Sequence, residues 1–287
     1  MGLAPGHLLG QQIGAVLEAA LKPVLQQMAA EHDLYLDSYG PRPGVRSINK
    51  VAWTDTFNNS HDLDFVLERG GTATRKGNPA AFIEAAWRRY GKHSKAKAQE
   101  IQGAVLPVIA KWANVGPVAA AVVAGEWTAP ALRQLRSSGF VLLHLNFTAT
   151  VASFAASGID IRGKDAVEDA FWQRQVDTLA ALSDEAKAQL AARVYSDNKS
   201  EIDGFVEDLV ARVVRTVVRV EVTPMHGTVV DYEDVGSAVQ GIRSFASPVA
   251  SDPFLRFEVR VHYTNGDKIE ADFALATDAI RFLESFD

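Results

Sequence analysis

Apolar residues at Leu9, Ile13, Val16, Leu17, Leu21, Val24, Leu25 and Met28 recur at helical spacing and predict a long first helix over 8–31, with Pro23 as a kink point. The pattern then changes. "SYGPRPG" at 38–44 is loop punctuation. Three strand candidates follow at 51–57, 61–69 and 80–88, the last two joined by the turn "RGGTATRKGNP". Residues 94–113 return to the helical period, and 129–137 reads as a short helix between two continuous apolar runs at 117–125 and 139–147. Buried strands separated by helices predict a sheet covered on both faces, so the fold class is α/β.

After about residue 150 the character shifts to charged amphipathic helices, predicted over 165–193 and 198–215, and then to a β-rich tail that starts with "TVVRVEVTP" at 216–224. The tail repeats itself. A shift of 41 residues places Val218-Arg219-Val220 on Val259-Arg260-Val261, Asp231-Tyr232 on Asp272-Phe273, Ala238 on Ala279 and Phe245 on Phe286. Each copy reads strand–turn–strand–helix, with "TNGD" at 264–267 as the second turn. The expected organisation is a core at 1–150, a helical segment at 151–215 and a small duplicated ββα module at 216–287, structural or dimerising in role.

Composition narrows the partners. A net charge of −6 confines any nucleic-acid binding to a local patch. The chain has no cysteine, which removes disulfides, thiolate metal sites and cysteine nucleophiles together. The N-terminus lacks a signal-peptide pattern, and the apolar run at 115–125 is too short to cross a bilayer. A cytoplasmic protein with no membrane partner is expected. The histidines have no HExxH spacing, and neither "GQQIG" nor "GKHSK" is a phosphate loop.

The candidate chemistry lies in "HDLDFVLERGG" at 61–71 and "AAFIEAAWRRYGKHSKAKAQEIQGAV" at 80–105. Alternation in a strand puts Asp62, Asp64, Val66 and Glu68 on one face, and Phe82, Glu84, Ala86 and Arg88 on one face of the next strand. Paired as a hairpin, these strands bring Asp64 and Glu84 close. Two poorly hydrated carboxylates repel and raise each other's pKa, a cost that a divalent cation with hard oxygen ligands relieves. Beside them run Arg88, Arg89, Lys92, His93, Lys95 and Lys97, a strip suited to phosphates. Taken singly, either feature is ordinarily solvated surface; in strand–strand–helix order they point to metal-assisted phosphodiester chemistry.

These residues resemble the PD-(D/E)XK nuclease superfamily, the restriction-endonuclease-like fold, over roughly 8–147. The resemblance implies a mixed sheet flanked by helices. Its first acid matches Asp64 in "DFVLE", with Asp62 the nearby competitor, and its second matches Glu84 in "FIEAAW". Glu18 in "GAVLEAAL" looks like the acid that the first helix often adds. The lysine expected two residues after the second acid is absent, because position 86 is Ala. Lys97, in phase with Ile101, Ala104 and Val108, is the first replacement, Lys95 the second and Arg88 the third. The resemblance implies that Asp64 and Glu84 hold Mg²⁺ or Mn²⁺, that Lys97 stabilises charge at the phosphate, and that Arg88, Arg89, Lys92, His93 and Lys95 position the backbone. The expected protein is a Mg²⁺-dependent DNA endonuclease of restriction or phage-defence type, working as a homodimer on both strands. The competing expectation is a non-cleaving nucleic-acid-binding or assembly protein on the same fold.

Overall fold

The predicted first helix forms as α1 (Pro5–Glu31) in a computed structural model that describes residues 3–163, 168–224, 228–245, 255–264 and 266–286. The first residues of the expected 165–193 helix and Asn265 of the "TNGD" turn lie outside these. α1 buries Leu9, Ile13, Leu17, Leu21, Leu25 and Met28 and runs through Pro23 without ending. The buried stripe on both sides outweighs the one hydrogen bond that proline removes. Gly6, Gly10 and Gly14 sit one turn apart along the same helix. Each costs about 1 kcal/mol of helix stability relative to alanine.

A strand absent from the sequence reading comes next, β1 (Leu34–Ser38), followed by β2 (Val51–Thr54) and β3 (Ser60–Leu63). β2 and β3 pair only with each other, as a separate antiparallel ribbon. The single strand expected at 61–69 is therefore two: it breaks at Asp64, and β4 (Phe65–Arg69) leaves in a different pairing. β5 (Asn78–Arg88), α2 (Ser94–Lys111), β6 (Val118–Gly125), α3 (Ala129–Ser137), β7 (Val141–Leu145) and α4 (Phe147–Ala155) follow. The main sheet has the order β1-β4-β5-β6-β7, with β1, β4 and β5 antiparallel and β5, β6 and β7 parallel.

Helices cover both faces of this mixed sheet. Phe82, Ala86, Ala121 and Val123 pack against Ala98, Ile101 and Val105 of α2 and Ala131 and Leu135 of α3. α1 and α4 take the opposite face, where Trp87 stacks on Phe147 with centroids 6.2 Å apart. Thr128 caps α3, and the Asn146 side chain accepts the first N–H groups of α4.

The helix expected over 165–193 is two, α5 (Asp169–Ala181) and α6 (Asp184–Asp197), because Ser183 leaves the helical path and accepts the Ala186 N–H at 3.1 Å. α5 and α6 pack on α1, and α6 also on α4. The expected boundary near 150 therefore does not separate these helices from the core. The chain divides into one unit of 1–112 with 117–210 and another of 113–116 with 211–287, the division falling inside α7 (Lys199–Val213).

A buried ionic knot fixes the loops around β1 and β4. Arg42, 2% exposed, donates to Asp37 Oδ2 at 2.7 Å and to both oxygens of Glu68 at 2.7 and 2.8 Å. It also donates to the Thr72 and Arg75 carbonyls, and the Gly77 N–H donates to Glu68 Oε2. Glu68, grouped with Asp62 and Asp64 by strand alternation, is thus a structural partner of Arg42.

In the second unit, β8 (Val217–Pro224), β9 (Val230–Tyr232), α8 (Val235–Ser244), β10 (Phe257–Tyr263), β11 (Lys268–Phe273) and α9 (Ala276–Leu283) build a four-stranded sheet ordered β11-β10-β8-β9. Val220, Val222, Val259 and Val261 meet Ala238, Ile242, Ala279 and Leu283 of the two helices. The other sheet face carries ion pairs such as Arg260 with Glu221 and Glu270. Among the described residues no helix is long and apolar enough to cross a membrane.

Candidate active site

The site forms where β5 outruns β4. Their pairing begins at Phe65↔Ile83, yet β5 continues to Arg88 alongside β6, so residues 84–88 have no β4 partner. Asp64 stands at the head of that open edge, and its Oδ2 accepts the Ala85 N–H at 2.7 Å, the bond a neighbouring strand would otherwise supply. Glu84 lies beside it on β5. Glu18 reaches in from α1, and Lys97 from the first turn of α2.

Asp64 acts on both of the other acids. Burial pushes the Glu18 carboxyl up to about 7, with the Asp64 charge adding to the rise. Burial raises Asp64 too, opposed by the Ala85 N–H and by Lys97. Glu84 is held well above the usual carboxylate range by burial and then by Asp64, while Lys97 and a backbone hydrogen bond from Asp64 pull it back. Asp64 is therefore within electrostatic reach of Glu18, Glu84 and Lys97, and Glu84 of Lys97, in a poorly hydrated place.

Of the other predicted residues, Asp62 does not join them. It is half-exposed and pairs with Lys50 at 2.5 Å, because the break at Asp64 turns the β2–β3 ribbon away from the main sheet. Arg88 points to Glu100 at 3.5 Å. The Arg89 guanidinium lies 3.8 Å from the Trp172 ring and 4.8 Å from that of Tyr90, packed on α5 rather than lined up with the other cations. Lys92, His93 and Lys95 are exposed around the turn at Gly91–His93 and the start of α2. Glu100 was missed by the sequence reading. It takes Lys97 Nζ on Oε1 at 2.5 Å, and the three-residue spacing of the two on α2 was the available signal.

Glu18 and Lys97 border a cleft of about 880 Å³, lined by the N-terminal half of α1, by 85–90 at the end of β5, directly after Glu84, and by Lys97 and Glu100 of α2. The resemblance implies a divalent cation, and the donor set fits one. Glu84 Oε1 is buried with no hydrogen-bond partner among the described residues, a cost that a hard cation would remove. Among the described residues there is no group of three or more His, Asp or Glu that could hold a metal ion. Mg²⁺ does not demand one, since it is commonly held by one or two carboxylates with waters and substrate phosphate completing its shell.

No protein-family model matches this chain, and no curated protein matches it. Among solved structures it is similar to one described as "Crystal Structure of Protein of Unknown Function AF1548", at 13% identity and a TM-score of 0.28, over 69% of this chain and 99% of that one. A likeness that low carries no argument about fold or chemistry.

Two expected results arise from the site itself. A glutamate with an ordinary value of 4.5 that holds its proton to about 7 in the fold favours folding fully below about pH 4.5, and loses that contribution as the pH rises through 7. Metal-free Glu18→Gln protein is expected to melt with the wild type at acid pH and above it at alkaline pH. An equal difference at both ends would remove the ionisation effect.

On the nuclease reading that the resemblance implies, Lys97→Ala is expected to cut the single-turnover cleavage rate by roughly 10²–10³-fold, as for loss of one charge-stabilising donor, with DNA affinity in Ca²⁺ little changed. Lys95, exposed at the helix start, should do the reverse, its alanine variant weakening affinity in a salt-dependent way. Normal cleavage by Lys97→Ala, with a loss in Lys95→Ala or Arg88→Ala, would move the role to another cation.

Proposed function

We propose that this chain is a Mg²⁺-dependent DNA endonuclease that hydrolyses phosphodiester bonds. The observation that carries the reading is the half-buried, mutually repelling pair Asp64 and Glu84, with a buried and unpartnered Glu84 oxygen, beside Lys97 at the wall of a cleft. Asp64 and Glu84 would hold the cation, which polarises a scissile phosphate and lowers the pKa of water when bound. Lys97 would place positive charge where the phosphate gathers negative charge. Glu18, protonated up to about pH 7, would donate a hydrogen bond toward Asp64 or, once ionised, accept one from water. Glu100 would hold Lys97 in place between turnovers.

The same reading takes the core as restriction-endonuclease-like, and the restriction or phage-defence role comes with that resemblance. It also takes the second unit as one ββα segment duplicated, supported by helices that begin at Val235 and Ala276, 41 residues apart. A non-cleaving nucleic-acid-binding protein is the second reading. It is favoured by Ala86, which is packed in the core where the superfamily carries its lysine. Incubating the purified chain with plasmid in Mg²⁺, and again with excess chelator, separates the two. Chelator-sensitive nicking or linearisation is expected; intact plasmid in both Mg²⁺ and Mn²⁺ would leave the second reading.

A further inference from the structure

We propose that the tip of the β2–β3 ribbon is a wedge that enters duplex DNA through its minor groove, with the Phe57 ring seated in a base step that it kinks. This rests on the reading of the chain as one that acts on DNA, and adds how it grips and deforms the duplex. Phe57 is 84% exposed, the highest value for any large apolar side chain among the described residues. A single exposed apolar residue ordinarily means little. Here the backbone beneath it is fixed from inside.

Asp55, 4% exposed, accepts the Phe57 and Asn59 N–H groups on Oδ1 at 2.8 and 2.9 Å. Its Oδ2 meets the Asn59 side-chain amide at 3.0 Å and the His61 ring at 3.1 Å. The Asn58 N–H donates to the Asp55 carbonyl, and Asn58 has a φ of 66°, in the left-handed region that asparagine tolerates better than most. A carboxylate saturated with hydrogen bonds thus holds a turn whose outermost ring touches only water. A ring displayed in one fixed position has less freedom to lose when it binds.

The surroundings select the partner. From Trp53 to His61 the one carboxylate is Asp55, and it is internal. The rest of the tip is Thr54, Thr56, Asn58, Asn59 and Ser60. Two lysines flank it: Lys111 Nζ donates to Thr54 Oγ1 at 2.7 Å, and Lys76 Nζ lies 3.5 Å from the centroid of the Trp53 ring. On a chain of net charge −6 this is a local cationic patch, and lysine and asparagine around an apolar ring are the make-up of minor-groove wedges. Two elements also join the tip to the acids. Asp64 directly follows β3, seven residues from Phe57, at most about 24 Å of strand. Lys97 and Lys111 lie fourteen residues apart on α2, about 21 Å of helix. Ribbon and helix therefore set similar separations, about six or seven base steps at 3.4 Å each, so one duplex reaches both the acids and the wedge.

The test reads bending, not cleavage. Energy transfer between dyes on the two ends of a short blunt duplex is measured in Ca²⁺ with the full chain. The wild type should shorten the end-to-end distance by a kink of about 20–90°. Phe57→Leu keeps an apolar wedge and should keep the kink. Phe57→Ala should leave the duplex straight and bind it roughly tenfold more weakly, the scale of one lost base–aromatic contact. All three should melt together, because a side chain this exposed has little packing to lose. A straight duplex with the wild type, or a kink and affinity unchanged in Phe57→Ala, would overturn the wedge and leave the hydrolytic reading to the plasmid assay. Self-association of the wild type that Phe57→Ala abolishes, with straight DNA in both, would also overturn it and put a second copy of the chain on the tip. A kink that only Phe57→Ala removes, in a protein that leaves plasmid uncut in Mg²⁺, supports the wedge and sinks the hydrolytic reading instead.

Discussion

Asp64→Asn and Glu84→Gln are each expected to bring Mg²⁺-dependent cleavage down to the no-enzyme background. Both keep side-chain volume, and the amide oxygen at position 64 can still accept the Ala85 N–H that Asp64 accepts at 2.7 Å. What is lost is anionic oxygen, which a hard cation requires. Stability should move the other way. Burial raises the pKa of both acids, and Asp64 raises Glu84 further, so in the absence of metal each favours the fold at acid pH and loses that contribution as the pH rises through its elevated folded value. Melted in chelator, both variants should match the wild type at acid pH and equal or exceed it at alkaline pH. Full cleavage by Glu84→Gln would remove Glu84 from the site. Lost cleavage with a lower melting temperature at alkaline pH would make the acids structural.

Arg42→Met is expected to be the most destabilising single substitution in the first unit. Arg42 holds two carboxylates, and its own side chain and that of Glu68 are 2% and 0% exposed. Methionine fills much of the volume but leaves the Glu68 carboxylate in the interior, its remaining hydrogen bond among the described residues being the Gly77 N–H. It also strips a donor from the Thr72 and Arg75 carbonyls. Breaking a buried pair in this way costs about 3–5 kcal/mol, roughly 10 °C for a unit of this size. Asp37 suffers less, because Arg46 also donates to it at 2.6 Å. Arg42→Met combined with Glu68→Gln should recover part of the loss, since no uncompensated charge then remains. A melting temperature for Arg42→Met within a degree or two of wild type would show that the knot contributes little. No recovery in the double variant would assign the loss to packing instead of charge.

Much of the scaffold was legible one residue at a time. The periodicity of α1, α2 and α3 and the unbroken apolar runs of β6 and β7 place those elements within a few residues, because each buries a face whose spacing is written in the chain. The split between α5 and α6 was also written, in Ser183 ahead of two acids, a capping signal that the longer charged pattern masked. β1 was not legible. It is only five residues long and mostly half-buried, without the clean alternation that marks a strand.

The site divides along the same line. The sequence by itself determined that the acids at 64 and 84 belong to consecutive strand segments, the first of which the fold interrupts at 64, that a helix with Lys97 follows, and that Glu18 lies on the first helix. Only the tertiary structure decided that the strand breaks at Asp64, which sends Asp62 out to Lys50 and leaves β5 an open edge. It alone decided that Glu68 belongs to Arg42, 26 residues earlier in the chain. It likewise decided that Arg89 leaves the cationic strip for Trp172. Periodicity records which side chains are taken out of water, since burial acts on each residue through its own element. Which buried charges face one another depends on how separate elements pack, and that register is not carried by either segment alone.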